Sequence, residues 1–454
     1  MTIESINPAT GKVTEIFNEW SAEATARVVE QAHSAWAGWR EAPFFEKAAL
    51  MRKAAETLRS RAGEYAEIMA LEMGKPVTQG RGEVEKCAWA CDFYAEHAAG
   101  FLTDETAESD ASRAYVAFRP LGVVLAVMPW NFPFWQVFRC AAPALMAGNA
   151  MLLKHSSNVP RCALAIEDVF RGAGFPENVF RTLMIGSGRV DAVIENTHVK
   201  GVALTGSCEA GRKVAATAGR MLKKTVLELG GSDPFIVLAD ADLQEAARIG
   251  ALARCINSGQ SCIAAKRFIV EEPVYARFLE LFAKEMAALK MGNPLDESTQ
   301  VGPLARQDLV DDLHGQVTDA VSKGADALLG GSPLESAGYY YPPTVLTGVT
   351  PEMRVFREEL FGPVAVVLAV RNADQAVRLA NDTPFGLGAS VWTGEPEHGA
   401  GLAAHIDAGA VFVNGMVKSD PRLPFGGIKD SGYGRELGGF GIREFVNIQT
   451  VWIR

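Results

Sequence analysis

The sequence predicts an α/β fold in which two domains are each built on a parallel sheet. From residue 115 onward, short β-branched runs alternate with helical stretches, the pattern of crossover βαβ units. There are about ten such runs, more than one compact sheet of ordinary size accommodates. The alternation also restarts after Gly230-Gly231, which divides two α/β domains near residue 230. The 454 residues suffice for two or three domains with a large core, and 48% hydrophobic with 22% charged residues describes an ordinary globular chain.

Taken in order, residues 6–11 (Ile-Asn-Pro-Ala-Thr-Gly) read as a turn opening a surface segment. From Ala22 to about Phe101 apolar residues recur at spacings of three and four, as in Ala48 to Leu58, so an all-helical flank is expected, broken at Gly74-Lys75-Pro76. Tyr115 to Val127 then forms two strands around Pro120 and Gly122. Further strands are expected at Ala150 to His155, Val179 to Ile185, Gly201 to Thr205 and Thr225 to Leu229. Beyond the glycine pair they continue at Phe235 to Leu238, Phe268 to Val270, Val364 to Val370, Ser390 to Trp392 and Ala410 to Val413. Phe445 to Arg454 is a last strand. Such a strand has an exposed edge unless something pairs with it, and a neighbouring subunit is the expected partner.

The net charge of -10, with no Lys/Arg-rich block to offset it, argues against nucleic acid as a partner. Seven cysteines without framework spacing read as free thiols in a reducing compartment. Cys87 and Cys91 could share a helix face, but no second Cys or His pair accompanies them, so no metal site is expected. The first residues lack signal-peptide architecture and no apolar run reaches membrane-spanning length. A cytoplasmic protein is the expectation.

Several short motifs could carry chemistry. Cys262, preceded by Gly259 and Gln260, sits among small residues where a thiolate could attack an electrophilic carbon. Taken alone it is more readily one more buried thiol. Pro129-Trp-Asn-Phe-Pro133 follows a strand at its carboxyl end, where open α/β sheets form ligand crevices. Two prolines fix that loop, and the Asn131 amide could serve an oxyanion hole or simply hold the loop. Lys154 also ends a strand and can meet a ribose hydroxyl or a phosphate. A carboxylate at position 157 would repel a 2′-phosphate, and the residue there is Ser157, which favours NADP over NAD. Leu204 to Gly211 runs from a strand into a Gly206-Ser207 helix start suited to a pyrophosphate. No G-x-G-x-x-G follows any strand. Glu228, in Glu228-Leu-Gly-Gly231, can be a general base toward water or a helix cap. Glu359 and Phe361 lie at a turn before a strand, and Pro424 to Arg435 is a glycine-dense loop of the kind that lines sites.

Together, Pro129 to Pro133, Glu228 to Gly231, Gly259 to Cys262, Glu358 to Pro363 and Pro424 to Gly427 resemble the aldehyde dehydrogenase superfamily over nearly the whole chain. Within it the chain most resembles the bacterial and cyanobacterial succinate-semialdehyde dehydrogenases, supported by Phe134 to Arg139, Glu228 to Pro234 and Met416 to Arg422. The resemblance implies two Rossmann-like α/β domains plus a small β oligomerisation arm. Residues 1–114 and 126–230 would bind cofactor, 231–430 would be catalytic, and 115–125 with 431–454 would assemble a homodimer or homotetramer. It implies that Cys262 attacks the aldehyde, that Asn131 and the Cys262 N–H hold the oxyanion, and that Glu228 activates water to release a thioester. NADP, or NAD, would be held by Trp130, Asn131, Lys154, Ser157, Gly206, Ser207, Leu229, Glu359 and Phe361. Arg139 and Ser419 would hold a distal carboxylate of a semialdehyde substrate, a guanidinium being suited to bidentate pairing.

Two departures stand out. Some relatives carry a second arginine six residues before the nucleophile, where this chain has Ile256. Ser261 rather than a second cysteine precedes Cys262, so no local disulfide switch is available. Arg139 could instead form a surface salt bridge. The competing readings are a broad-range or glutarate-semialdehyde dehydrogenase, a coenzyme-A-acylating variant disfavoured by Glu228, and an inactive binding protein on the same scaffold.

Overall fold

The computed structural model describes residues 2–335 and 337–454. Its first sheet has six strands, in the order Phe180–Thr182, Ala150–His155, Val123–Met128, Val199–Thr205, Lys224–Glu228, Gly432–Tyr433. The first five are parallel and the last is antiparallel. Parallel strands covered on both faces read as continuous apolar runs rather than alternating ones. Ala150–His155 accordingly is buried throughout. Val124, Ala126 and Met128 pack with Phe138 and Met51 on one face, while Val123 and Leu125 pack with Val28, Val29 and Val214 on the other.

Register places the site. Val127 lies beside Lys154 and Leu204, and Thr205 beside Glu228. The loops that leave these strands at their carboxyl ends therefore emerge together, bringing Pro129 to Pro133, Gly206-Ser207 and Glu228 to Gly231 to one edge.

The second sheet has seven strands, in the order Asp326–Leu329, Thr344–Thr347, Val364–Val370, Ala265–Glu271, Asp233–Val237, Gly388–Trp392, Ala410–Val413. All pairs are parallel except the first. Two of these strands have no counterpart in the sequence reading. Asp326–Leu329 is an edge strand with no buried residue, and Thr344–Thr347 is only four residues long, so neither gives a hydrophobic period.

The helical flank comprises Ala22–Trp39, Phe44–Ser60, Ala62–Met73 and Val77–Phe101. The break expected at Gly74 is present, with Gly74 at φ 77° ending the third helix. Two further breaks, at residues 40–43 and at Arg61, separate the earlier helices. The expected turn at residues 6–11 is the loop of a hairpin, Thr2–Asn7 with Lys12–Asn18.

The last strand, Val446–Ile453, finds its first partner in its own chain rather than in a neighbour. It pairs antiparallel with Arg113–Pro120 along its full length, and that strand pairs with Glu105–Thr106. Its outer edge remains open, and Ile448 and Trp452 are exposed there. Among the described residues no helix is long and apolar enough to cross a membrane.

Candidate active site

The nucleophile loop is bent by three consecutive left-handed residues, Asn257, Ser258 and Gly259, at φ 54°, 56° and 76°. For the two non-glycine residues this costs on the order of 1–2 kcal/mol each and persists only where surroundings over-determine it. They do. Asn257 Nδ2 donates to the carbonyls of Asn131 (2.7 Å) and Gln260 (3.0 Å), and Ser258 Oγ accepts from the Gly302 N–H (2.9 Å). Gln260 Oε1 accepts from the Ala305 N–H at 2.8 Å. A Cβ on Gly259 would lie 2.3 Å from the Gly362 carbonyl carbon, so only glycine fits. Beneath the loop the buried Lys266 ammonium donates to the carbonyls of Ser261 (2.9 Å), Cys262 (2.8 Å) and Ala264 (3.2 Å). Lys266 carries no signal in the sequence beyond its nearness to Cys262.

Cys262 is part-exposed and lines two cavities. Burial pushes its thiol up to about 12, and the Arg139 guanidinium works against that rise. Arg139 comes from the helix Trp135–Met146, every residue of which is buried. Its guanidinium is ion-paired with Glu436, donates to Thr205 Oγ1 (3.3 Å) and lies 4.7 Å from the centre of the Phe425 ring. The salt-bridge alternative for Arg139 is thus present, but in the interior rather than at the surface. The positive charge is already met by one carboxylate and faces both Cys262 and Glu228.

Glu228 ends its strand at 2% exposure, and neither carboxyl oxygen has a hydrogen-bond partner among the described residues. Burial pushes its pKa well above the carboxylate range, with Arg139 opposing. A base raised in this way is suited to accept a proton near neutrality. A Cβ on Gly426 would lie 2.6 Å from Glu228 Oε1, so the glycine-dense loop makes the room this side chain occupies. Asn131 Nδ2 donates to the Gln260 carbonyl at 3.1 Å, leaving its second amide hydrogen for a ligand.

On one side of Cys262 a cavity of about 260 Å³ is lined by Trp130, Asn131, Gly206, Ser207, Leu229, Glu359 and Phe361, together with Arg306 and Leu309. Trp130 and Phe361 meet edge to face at 5.7 Å. Ser207 caps the helix Cys208–Arg220, leaving free N–H groups at its start. Glu359 accepts from the Gly231 N–H at 3.0 Å and lies 3.8 Å from Lys266. A Cβ on Gly230 would lie 2.7 Å from Glu359 Oε2, so the glycine pair admits this carboxylate. A helix start for phosphates, a carboxylate for a ribose and aromatic walls for a ring suit a dinucleotide. Lys154 and Ser157 stand outside this lining, on the neighbouring strand end. Lys154 is buried, which lowers its pKa, with Glu19 acting in the opposite sense, and Ser157 is exposed.

On the other side a cavity of about 310 Å³ is walled by Phe132, Trp135, Ile256, Met416 and Phe425, with Arg139 and Ser419 among its polar groups. Among the described residues only Cys262 and Gln136 line both cavities. Ser419 Oγ accepts from Lys86 Nζ (2.8 Å) and from Trp135 Nε1 (3.0 Å). The sequence reading missed Gln136 and Lys86. Lys86 lies on the helix Val77–Phe101, next to the buried face formed by Glu83, Val84, Cys87 and Ala88. A lysine bordering such a face was the available signal.

The aldehyde dehydrogenase family model matches residues 1–451. A probable NADP(+) succinate-semialdehyde dehydrogenase of Synechocystis sp. is 52% identical over 453 residues, covering 100% of both chains. An Escherichia coli NAD(P)+ succinate semialdehyde dehydrogenase is 48% identical over 99% of this chain and 97% of its own. Among solved structures, a succinic semialdehyde dehydrogenase from Streptococcus pyogenes in complex with NADP+ superposes with a TM-score of 0.97 at 39% identity, covering 99% of both chains. With Cys262 where two cavities meet, Asn131 lining one of them and the buried Glu228 facing the same Arg139 charge as Cys262, and with a match along almost its full length, this chain belongs to the aldehyde dehydrogenase family.

Proposed function

We propose that this chain oxidises succinate semialdehyde to succinate with reduction of NADP+, and that it also accepts NAD+. The observation that carries the reading is the position of Cys262 where a cavity lined by Trp130, Glu359, Phe361 and the Gly206-Ser207 helix start meets a second one bearing cationic groups. The names of the relatives above point to the same substrate and cofactor.

The thiol of Cys262 gives up its proton to solvent water as sulfur bonds to the aldehyde carbon, and the carbonyl oxygen takes the electron pair of the broken C=O π bond. Asn131 Nδ2 and the Cys262 N–H hold that oxyanion. A cysteine suits this step because sulfur is strongly nucleophilic once deprotonated, and the nearby Arg139 charge favours the thiolate. The bound nicotinamide supplies the hydride acceptor that turns the thiohemiacetal into a thioester. Glu228 then takes a proton from a water whose oxygen adds to the thioester carbon, the C–S bond breaks, and the carboxylic acid leaves. Trp130, Phe361, Leu229 and Glu359 would hold the nicotinamide and its ribose, Gly206 and Ser207 the pyrophosphate, and Lys154 and Ser157 the adenosine ribose with its 2′-phosphate. Arg139 and Ser419 belong to the substrate end.

Residues 1–114 and 126–230 form the cofactor-binding domain and 231–430 the catalytic domain. Within residues 115–125 and 431–454, the strand pair Arg113–Pro120 and Val446–Ile453 carries assembly as a homodimer or homotetramer through the open edge of Val446–Ile453, while Val123 to Leu125 and Gly432–Tyr433 belong to the first sheet. A monomer by light scattering at micromolar concentration would remove that last point. Seven free cysteines suit a reducing, cytoplasmic setting.

The test is steady-state kinetics on four- and five-carbon semialdehydes and on uncharged aldehydes, with both cofactors. The highest kcat/KM is expected for succinate semialdehyde with NADP+. Faster turnover of hexanal would support the broad-range reading instead.

A further inference from the structure

Three cations line the substrate cavity: Lys418, which is exposed, and the less exposed Arg139 and Lys86, which are in different states. Arg139 is already paired with Glu436 and bonded to Thr205. Lys86 is not: among the described residues no carboxylate oxygen lies within the 4.0 Å of an ion pair from its ammonium. The neighbouring Glu83 is taken by Lys75 and by the N–H groups of Phe134 and Trp135. The Lys86 ammonium instead donates to Ser419 Oγ (2.8 Å) and lies 4.3 Å from the centre of the Trp135 ring, on the wall that also carries Cys262.

Ser419 completes the arrangement. A hydroxyl has two acceptor sites and one donor hydrogen. Lys86 and Trp135 occupy both acceptor sites, so the hydrogen is left to point at an acceptor that none of the described residues supplies. An uncompensated ammonium beside an oriented O–H donor, next to the apolar surfaces of Trp135, Met416 and Phe425, calls for an anion with two oxygens.

We propose that Lys86 is the specificity residue that receives the substrate's distal carboxylate, with the Ser419 O–H as the second donor and Arg139 held back by Glu436. The inference rests on the semialdehyde reading and names the group that enforces it. The ammonium is weakened in the free site: burial first, and the Arg139 charge second, bring the pKa of Lys86 down to about 8. The groups that act on it are Glu83 and Cys87 from its own helix, Arg139 from Trp135–Met146 and Asp420 from the loop beyond Ser419. A bound carboxylate favours the charged form. Substrate affinity is therefore full below about 8 and falls as pH rises through that value.

The test compares wild type, Lys86→Gln and Lys86→Arg on succinate semialdehyde and on butanal, which is the same length but uncharged, from about pH 6.5 to 9.5. Lys86→Gln should raise KM for the semialdehyde about 30-fold or more, against less than about threefold for butanal, because only the charged substrate loses a charge-assisted bond. Lys86→Arg should keep most of the affinity and lose the alkaline rise in KM, since a guanidinium does not titrate there. Butanal turnover reports that each variant is folded. If wild type discriminates but Lys86→Gln discriminates equally well, the assignment of Lys86 is wrong and the substrate reading stands. If wild type does not prefer the semialdehyde over butanal, both fall.

Discussion

The two cavities that meet at Cys262 are built differently. The cofactor side is made of main chain and strand ends. Sheet register aligns Val127 with Lys154 and Leu204, and Thr205 with Glu228, while Gly230 and Gly231 let Glu359 and the Cys262 carbonyl come close. The substrate side is made of side chains from segments far apart in sequence: Lys86, Trp135, Arg139, Ile256, Ser419 and Phe425. A site of the first kind follows from local motifs, whereas one of the second kind depends on which charges find each other in the fold. Arg139 shows this directly, because its nearest carboxylate, Glu436, is about 300 residues away along the chain.

The comparison can be broken hardest at the shared residue. Cys262→Ala should lower kcat on every aldehyde by at least about a thousandfold, since no other nucleophile lines both cavities. Dinucleotide binding, followed by fluorescence titration, should survive. Next comes Arg139→Ala, which leaves Glu436 buried without its partner. Loss of one member of a buried pair costs about 3–5 kcal/mol, to be read from denaturant unfolding. Turnover of charged and uncharged aldehydes should fall together, because the lost charge also faces Cys262 and Glu228. A selective loss on semialdehydes would restore Arg139 as the carboxylate's main partner.

The thiol gives a pH test of the shared point. With Cys262 pushed up to about 12 by burial, the thiolate fraction of the unliganded enzyme should rise about tenfold per pH unit through the neutral and alkaline range. Iodoacetamide labelling of the Cys262 peptide, followed by mass spectrometry, should accelerate accordingly. A plateau near neutrality would mean that Arg139 lowers the thiol more than burial raises it. The smallest effect is expected at the rim of the cofactor side. Ser157→Glu should reduce kcat/KM for NADP+ about tenfold through repulsion of the 2′-phosphate, and NAD+ use should change less. Wild type preferring NAD+ in side-by-side kinetics would contradict the role given to Ser157.

The same division explains what could be read from the sequence. The parallel strands were visible because burial on both faces makes them unbroken apolar runs, as in Val364–Val370 and Ala150–His155. Asp326–Leu329 was not, because an exposed edge strand needs no apolar period. At the site, Cys262, Asn131 and Glu228 stood out because each lies in a short, glycine- or proline-marked motif. Lys86 did not, since a lysine on a long helix looks like a solvated one until the helix is packed. Lys266 lay within the motif, but its grip on three carbonyls needs the left-handed turn at Asn257-Ser258, which the residue types alone do not announce. The terminal strand was legible as a strand, but its partner Arg113–Pro120 is set by topology.

The central claim is a covalent bond between Cys262 and the substrate, released by water that Glu228 activates. Its most direct test is rapid mixing of Glu228→Gln with succinate semialdehyde and NADP+, followed by acid quench and intact-mass analysis. A burst of NADPH close to one per active site is expected, with one succinyl group retained on the Cys262 peptide. Steady turnover at the wild-type rate, with no burst and no adduct on Cys262, would contradict the account.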